Sequence, residues 1–89
     1  MFEILEGEIL YKVQKYKLFR KGEGRFLIDV MEVVAPTPKK DLLFVAAPNN
    51  VSSYAGEKYC GYGPSETEAL KDCLTKIKGV SREQIIPSV

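Results

Sequence analysis

The chain has 89 residues, 45% of them hydrophobic and 28% charged, with a formal net charge of +1. That is the profile of one soluble globular domain spanning residues 1–89, whose small size lets it bury only about 60–65% of its unfolded surface. No run approaches the ~20 apolar residues of a membrane span, and the absence of histidine removes the usual near-neutral acid–base group, the Ser-His and Cys-His nucleophile pairs and the commonest metal ligand.

The expectation is therefore a protein that binds rather than catalyses, with no catalytic residues, no metal and no cofactor. Glu3, Glu6 and Glu8 stand where a secretory signal needs a basic region, so a cytoplasmic location is expected. The two cysteines, Cys60 and Cys73, are then expected as free thiols. Charge is unevenly spread: residues 1–10 carry three acids and no cation, whereas residues 11–25 carry six cations against Glu23 alone.

The first element is a strand. Ile9, Tyr11 and Val13 alternate with Leu10, Lys12 and Gln14, and beyond Lys15 the apolar members become Tyr16 and Leu18. An extra residue near Gln14 or Lys15 would reconcile the two phases, which predicts a β-bulge or strand break there. "RKGEGR" then reads as a hairpin loop, with Gly22 and Gly24 free to take positive φ. In the next strand, "RFLIDVMEVVAP", Phe26, Ile28 and Val30 share one face, and Leu27, Asp29, Met31 and Val33 share the other. "PTPKKD" reads as a turn, because proline has no donor for a ladder.

"DLLFVAAP" is the third strand, stopped by Pro48. "NNVSSYAGE" has the composition of a surface loop, and "KYCGYG" makes a brief fourth strand interrupted by Gly61. Ser65 followed three residues later by Glu68 has capping-box spacing. Ala69, Leu70, Cys73, Leu74 and Ile77 then form one helical stripe, and Gly79 suits the residue just past the helix end. "SREQIIP" repeats the pattern for a short terminal helical turn, with Pro87 as its stop. The order β-β-β-β-α predicts an antiparallel three- to four-stranded sheet with one helix packed on one face. Leu27, Met31, Tyr16 and Leu18 are expected to give the other face apolar character, which a second copy or a protein partner would cover.

The C-terminal two-thirds, from about Arg25 to Lys78, resembles the HicB-type antitoxin core. In that family a β-hairpin and a third strand lead into a helix opened by Gly-x-Thr-x-x-Glu-Ala-Leu. Gly63, Ser65, Glu68, Ala69 and Leu70 fall on this pattern, which implies an antitoxin-like, self-associating role. The chain differs in a longer loop from Pro48 to Lys58 and an added N-terminal strand. Gly61, Gly63 and Ser65 are also similar to the helix start of double-stranded-RNA-binding domains. Glu66 and Thr67, however, stand where that family has phosphate-contacting lysines, which disfavours RNA binding through this helix.

Three features are weighed for function. Lys12, Lys15, Lys17, Arg20, Lys21 and Arg25 interleave with Tyr11, Tyr16 and Phe19, an arrangement suited to nucleic acid or an acidic partner. The plainer alternative is a solvated edge strand, where lysines discourage edge-to-edge pairing. Cys73 falls on the apolar stripe as a core residue. Glu66, Glu68 and Asp72 are explained by capping and solvation, and Glu66 and Glu68 would repel a phosphate approaching Gly61 and Gly63. The leading expectation is a protein-interaction module that pairs with itself or a partner through its sheet. Nucleic-acid binding through the basic hairpin is the alternative. No membrane or small-molecule partner is expected.

Overall fold

The computed structural model describes residues 3–35, 44–50 and 53–87. Four strands form one antiparallel sheet in chain order: β1 (Leu10–Arg20), β2 (Gly24–Ala35), β3 (Phe44–Asn49) and β4 (Gly61–Gly63). A 3-10 turn (Glu57–Tyr59) precedes β4, and the helices α1 (Glu66–Ile77) and α2 (Arg82–Ile85) follow. The fold is α+β, with the helical layer on one face of the sheet, as the order of elements predicts. The turn expected at "PTPKKD" and the start of the third strand lie outside the described residues.

The long β1–β2 hairpin sets the shape. At ~3.3 Å per residue, a twelve-residue strand spans about 40 Å, which accounts for most of the 45 Å longest dimension. Phe26, Ile28 and Val30 of β2 and Ala46 of β3 face the helices, where they pack with Ala69, Cys73, Ile77, Ile85 and Ile86. The helical stripe is narrower than its periodicity suggests. Ala69, Cys73 and Ile77 are buried, Leu70 is half-buried and Leu74 is exposed. Ile85 and Ile86 of the terminal helical turn complete the core.

The strand β1 has no bulge at Gln14 or Lys15. Its register against β2 is unbroken from Tyr11 opposite Val33 to Arg20 opposite Gly24, and the irregularity lies between Leu10 and Tyr11. Tyr16 and Leu18 pack toward the helical layer, whereas Tyr11, Val13 and Phe19 fall on the opposite face. The apolar phase changes because the helical layer reaches β1 only along its C-terminal half. Two polar contacts mark that reach. The Tyr16 hydroxyl donates to the Glu66 carboxylate at the start of α1, and Arg20 donates to the Ile77 and Val80 carbonyls at its end.

Pro48 does not stop β3, which continues to Asn49. The Pro48 carbonyl accepts from the Ala55 amide, 2.9 Å away on the side opposite β2. The proline nitrogen points to that same side, so the ladder with β2 loses no donor. The expected fourth strand divides at Cys60, with the 3-10 turn before it and β4 after it. Ser65 caps α1 by accepting from the Glu68 amide at 3.1 Å, and Ser81 caps α2 by accepting from the Gln84 amide at 3.2 Å. The reciprocal half of the first capping box does not form. Gly79, at φ 77°, follows the C-cap Lys78 as expected.

Candidate functional site

The helix-free face of the sheet carries several of the exposed apolar side chains. Antiparallel register places Val13, Met31, Val45 and Tyr62 in one row across all four strands, with Tyr11 and Val33 in a neighbouring row. Phe19 is 72% exposed, Tyr11 48%, Tyr62 45% and Val13 44%. Leu27, Met31, Val33 and Val45 are half-buried between them. Tyr16 and Leu18, expected on this face, are not part of it.

One polar cluster interrupts the face. Asp29 is 3% exposed, yet it lies on the side away from the helices. Lys15, its cross-strand neighbour, sits 3.2 Å from its carboxylate, and the Tyr54 hydroxyl donates to it at 3.1 Å. Tyr54 reaches it because residues 53–55 run back along β3: Tyr54 bridges Asn49, and the Asn50 side chain accepts the Ser53 amide at 2.8 Å. The stretch expected as a plain surface loop is therefore tied to the sheet. Nothing local in the sequence marks this contact, since Asp29 and Tyr54 belong to different segments.

The six cations are not gathered into one patch. Lys15 pairs with Asp29, and Arg20 turns toward the helical layer, holding the end of α1 and an ion pair with Glu23 at 3.0 Å. Lys17 and Arg25 lie on the helix-free face, Lys12 on the other, and Lys21 in the hairpin turn. The interface aromatics divide as well, with Tyr11 and Phe19 on the helix-free face and Tyr16 under the helical layer.

The far edge of the sheet is closed by α1. The outward Tyr62 amide donates to Asp72 at 3.0 Å, and Lys76 donates to the Cys60 carbonyl at 2.9 Å while pairing with Asp72 at 2.9 Å. Asp72 thus has a structural task beyond solvation. Both cysteines are free and buried. Burial pushes the Cys73 thiol up to about 11 and raises that of Cys60, so both are protonated at neutral pH and are poor nucleophiles. Among the described residues, no three His, Cys, Asp or Glu side chains converge on a metal position, and no helix is long and apolar enough to cross a membrane.

These ionisations give the fold a defined pH window. The hydrogen bond to Glu66 raises the Tyr16 phenol, the hydrogen bond to Asp29 raises that of Tyr54, and burial raises that of Tyr62. The folded chain holds these protons, and those of both thiols, more tightly than the unfolded chain does. Their contribution to stability is accordingly full below about pH 9 and is lost as pH rises through about 11. In the acid range, the Arg82 amide and the Arg20 guanidinium lower Glu23, and Lys76 and the Tyr62 amide lower Asp72. Their contribution is present above the ordinary carboxylate range and is lost as pH falls through their lowered values. Urea melts from pH 3 to 11 are expected to show a plateau with losses at both ends.

The fold and its uncovered face define a two-layer α+β domain with one side of its sheet open. Comparison with family models, curated proteins and solved structures finds no match.

Proposed function

We propose that this chain is a protein-interaction module that associates through the uncovered side of its sheet, with itself as the first partner. The observation that carries this reading is the set of exposed apolar side chains on the helix-free face, Tyr11, Val13 and Tyr62 in two neighbouring rows and Phe19 beyond the Lys15–Asp29 pair and Lys17. Apolar surface interleaved with cations in this way is the composition of a binding face. An antitoxin-like role is compatible with this reading and rests on the resemblance at Gly63, Ser65, Glu68, Ala69 and Leu70. A small toxin encoded beside this chain would then be its second partner, and co-expression of the chain should relieve the growth arrest that toxin causes.

The nucleic-acid alternative draws on the same face but is weakened by the dispersal of the cations. Phosphate tracking needs a continuous basic groove, and Lys15 and Arg20 already have acidic or carbonyl partners. Analytical ultracentrifugation over a concentration series, with Val13→Lys and Phe19→Lys as variants, tests the proposal. The expected result is self-association that each variant weakens at least ~10-fold, equivalent to ~1.4 kcal/mol, with the thermal midpoint unchanged. Equal association constants for variants and parent would overturn the reading. Tight single-stranded RNA binding with a steep salt slope would favour the alternative.

A further inference from the structure

We propose that two copies of this chain pair antiparallel along β1, with Gln14 opposite Gln14, and so join two four-stranded sheets into one of eight strands. The proposal rests on the self-association reading above, moves the contact from the open face to the β1 edge that borders it, and names its register.

The two edges of the sheet are treated differently. At β4 the edge is three residues long, and Asp72 and Lys76 of α1 take its outward amide and the neighbouring carbonyl. The opposite edge, β1, is eleven residues long, and no described residue bonds to its outward side. A long bare strand edge is a template for another strand unless charge repels it, and Lys12, Lys15 and Lys17 of β1 restrict that partner to a register that sets no cation opposite them. Edge pairing between identical chains is closed by a two-fold axis, which makes the new pair antiparallel.

Charge selects the occupant. Residues 1–10 carry −3 and residues 11–25 carry +5. Antiparallel pairing of β1 with a second β1 sets the acidic end of each copy beside the basic turn of the other, at both ends of the interface. A parallel arrangement would set like beside like.

Side chains select the register. With the helical layers of both copies on the same side, the two-fold axis passes through one residue of β1. Centring on Lys12 or Lys15 places a lysine opposite itself, and centring on Tyr16 sets Lys15 opposite Lys17. Centring on Val13 sets Phe19 opposite Gly7 and Glu8 opposite Leu18. Centring on Gln14 opposes no like charges. It sets Tyr11 against Lys17, Lys12 against Tyr16, Leu10 against Leu18 and Glu8 against Arg20. It also brings together Ile9 and Phe19, which are 56% and 72% exposed in the single chain. Cross-strand apolar pairs of this kind stabilise a sheet, and like charges directly opposite destabilise it.

Disulfide trapping tests the register, with copper-phenanthroline as oxidant and the parent chain, whose own thiols are buried, as control. Directly opposed residues lie ~4.5–5.5 Å apart between Cα atoms, within disulfide reach. Gln14→Cys alone is expected to form a covalent dimer. Tyr11→Cys and Lys17→Cys are each expected to stay single and to link only when mixed, since each is offset from its own copy by about 20 Å. If the parent chain dimerises in ultracentrifugation while Gln14→Cys and the mixed pair stay unlinked, the β1 pairing is overturned and the self-association reading stands. A parent chain that remains monomeric at millimolar concentration would overturn both.

Discussion

Replacing Gly61 with alanine is expected to lower stability by roughly 3 kcal/mol, toward the upper end of overpacking costs. A Cβ on Gly61 would stand 2.2 Å from both the Ala69 carbonyl oxygen and the Cys73 amide nitrogen. Both are backbone atoms in the middle of α1, so no side chain can rotate away. Relief requires α1 to lift from β4, which would pull Asp72 and Lys76 off the strand edge they close. For a domain of this size the midpoint should fall by roughly 12–24 °C. Gly56→Ala is the matched control. It has ordinary extended backbone at φ −66° and no atom within 4 Å of the added methyl, so its effect should lie within about 0.5 kcal/mol. Equal melts for the two variants would mean that the glycines of β4 are not there for close helix–strand packing.

Ile85→Ala is the second large effect, at ~2–5 kcal/mol from lost transfer energy and the cavity left behind. Ile85 is fully buried although it lies in a four-residue helix near the end of the chain. A domain of this length has only about 4–13 kcal/mol of total stability, so this change alone removes a large share of it. Leu74→Ala, on the exposed side of α1, should cost clearly less. Denaturant melts that ranked Leu74 above Ile85 would contradict the assignment of α2 to the core.

The parts of this fold that were legible in the sequence are those set by local physics. Ser65 and Ser81 announce helix starts through their hydroxyls, Gly79 an ending, and Gly22 and Gly24 a hairpin turn. Phe26, Ile28 and Val30 show their period directly. The parts that were not legible depend on distant segments. The phase change along β1 looks like a bulge until the helical layer is seen to cover only its C-terminal half. Gly61 reads as a weak point in a strand, whereas its lack of a side chain admits the backbone of α1. Pro48 reads as a stop because its free side can be recognised only after Ala55 folds back beside it.

The candidate site divides along the same line. Tyr11 and Phe19 were recognisable as strand aromatics, but their shared face with Val13 and Tyr62 required the register of all four strands. The basic run was conspicuous in composition, yet Asp29, Glu23 and the end of α1 disperse it. Asp29 itself shows only its face in the sequence, because the contact that buries it comes from Tyr54, 25 residues away.

Residue-resolved amide exchange at two protein concentrations tests most directly whether this domain associates with itself along the open β1 edge of its sheet. The account predicts that the outward amides between Leu10 and Arg20 exchange freely in dilute solution and become protected as concentration rises, with α1 unchanged. Outward β1 amides that stay unprotected at every concentration, or new protection confined to the solvent side of α1, would contradict it.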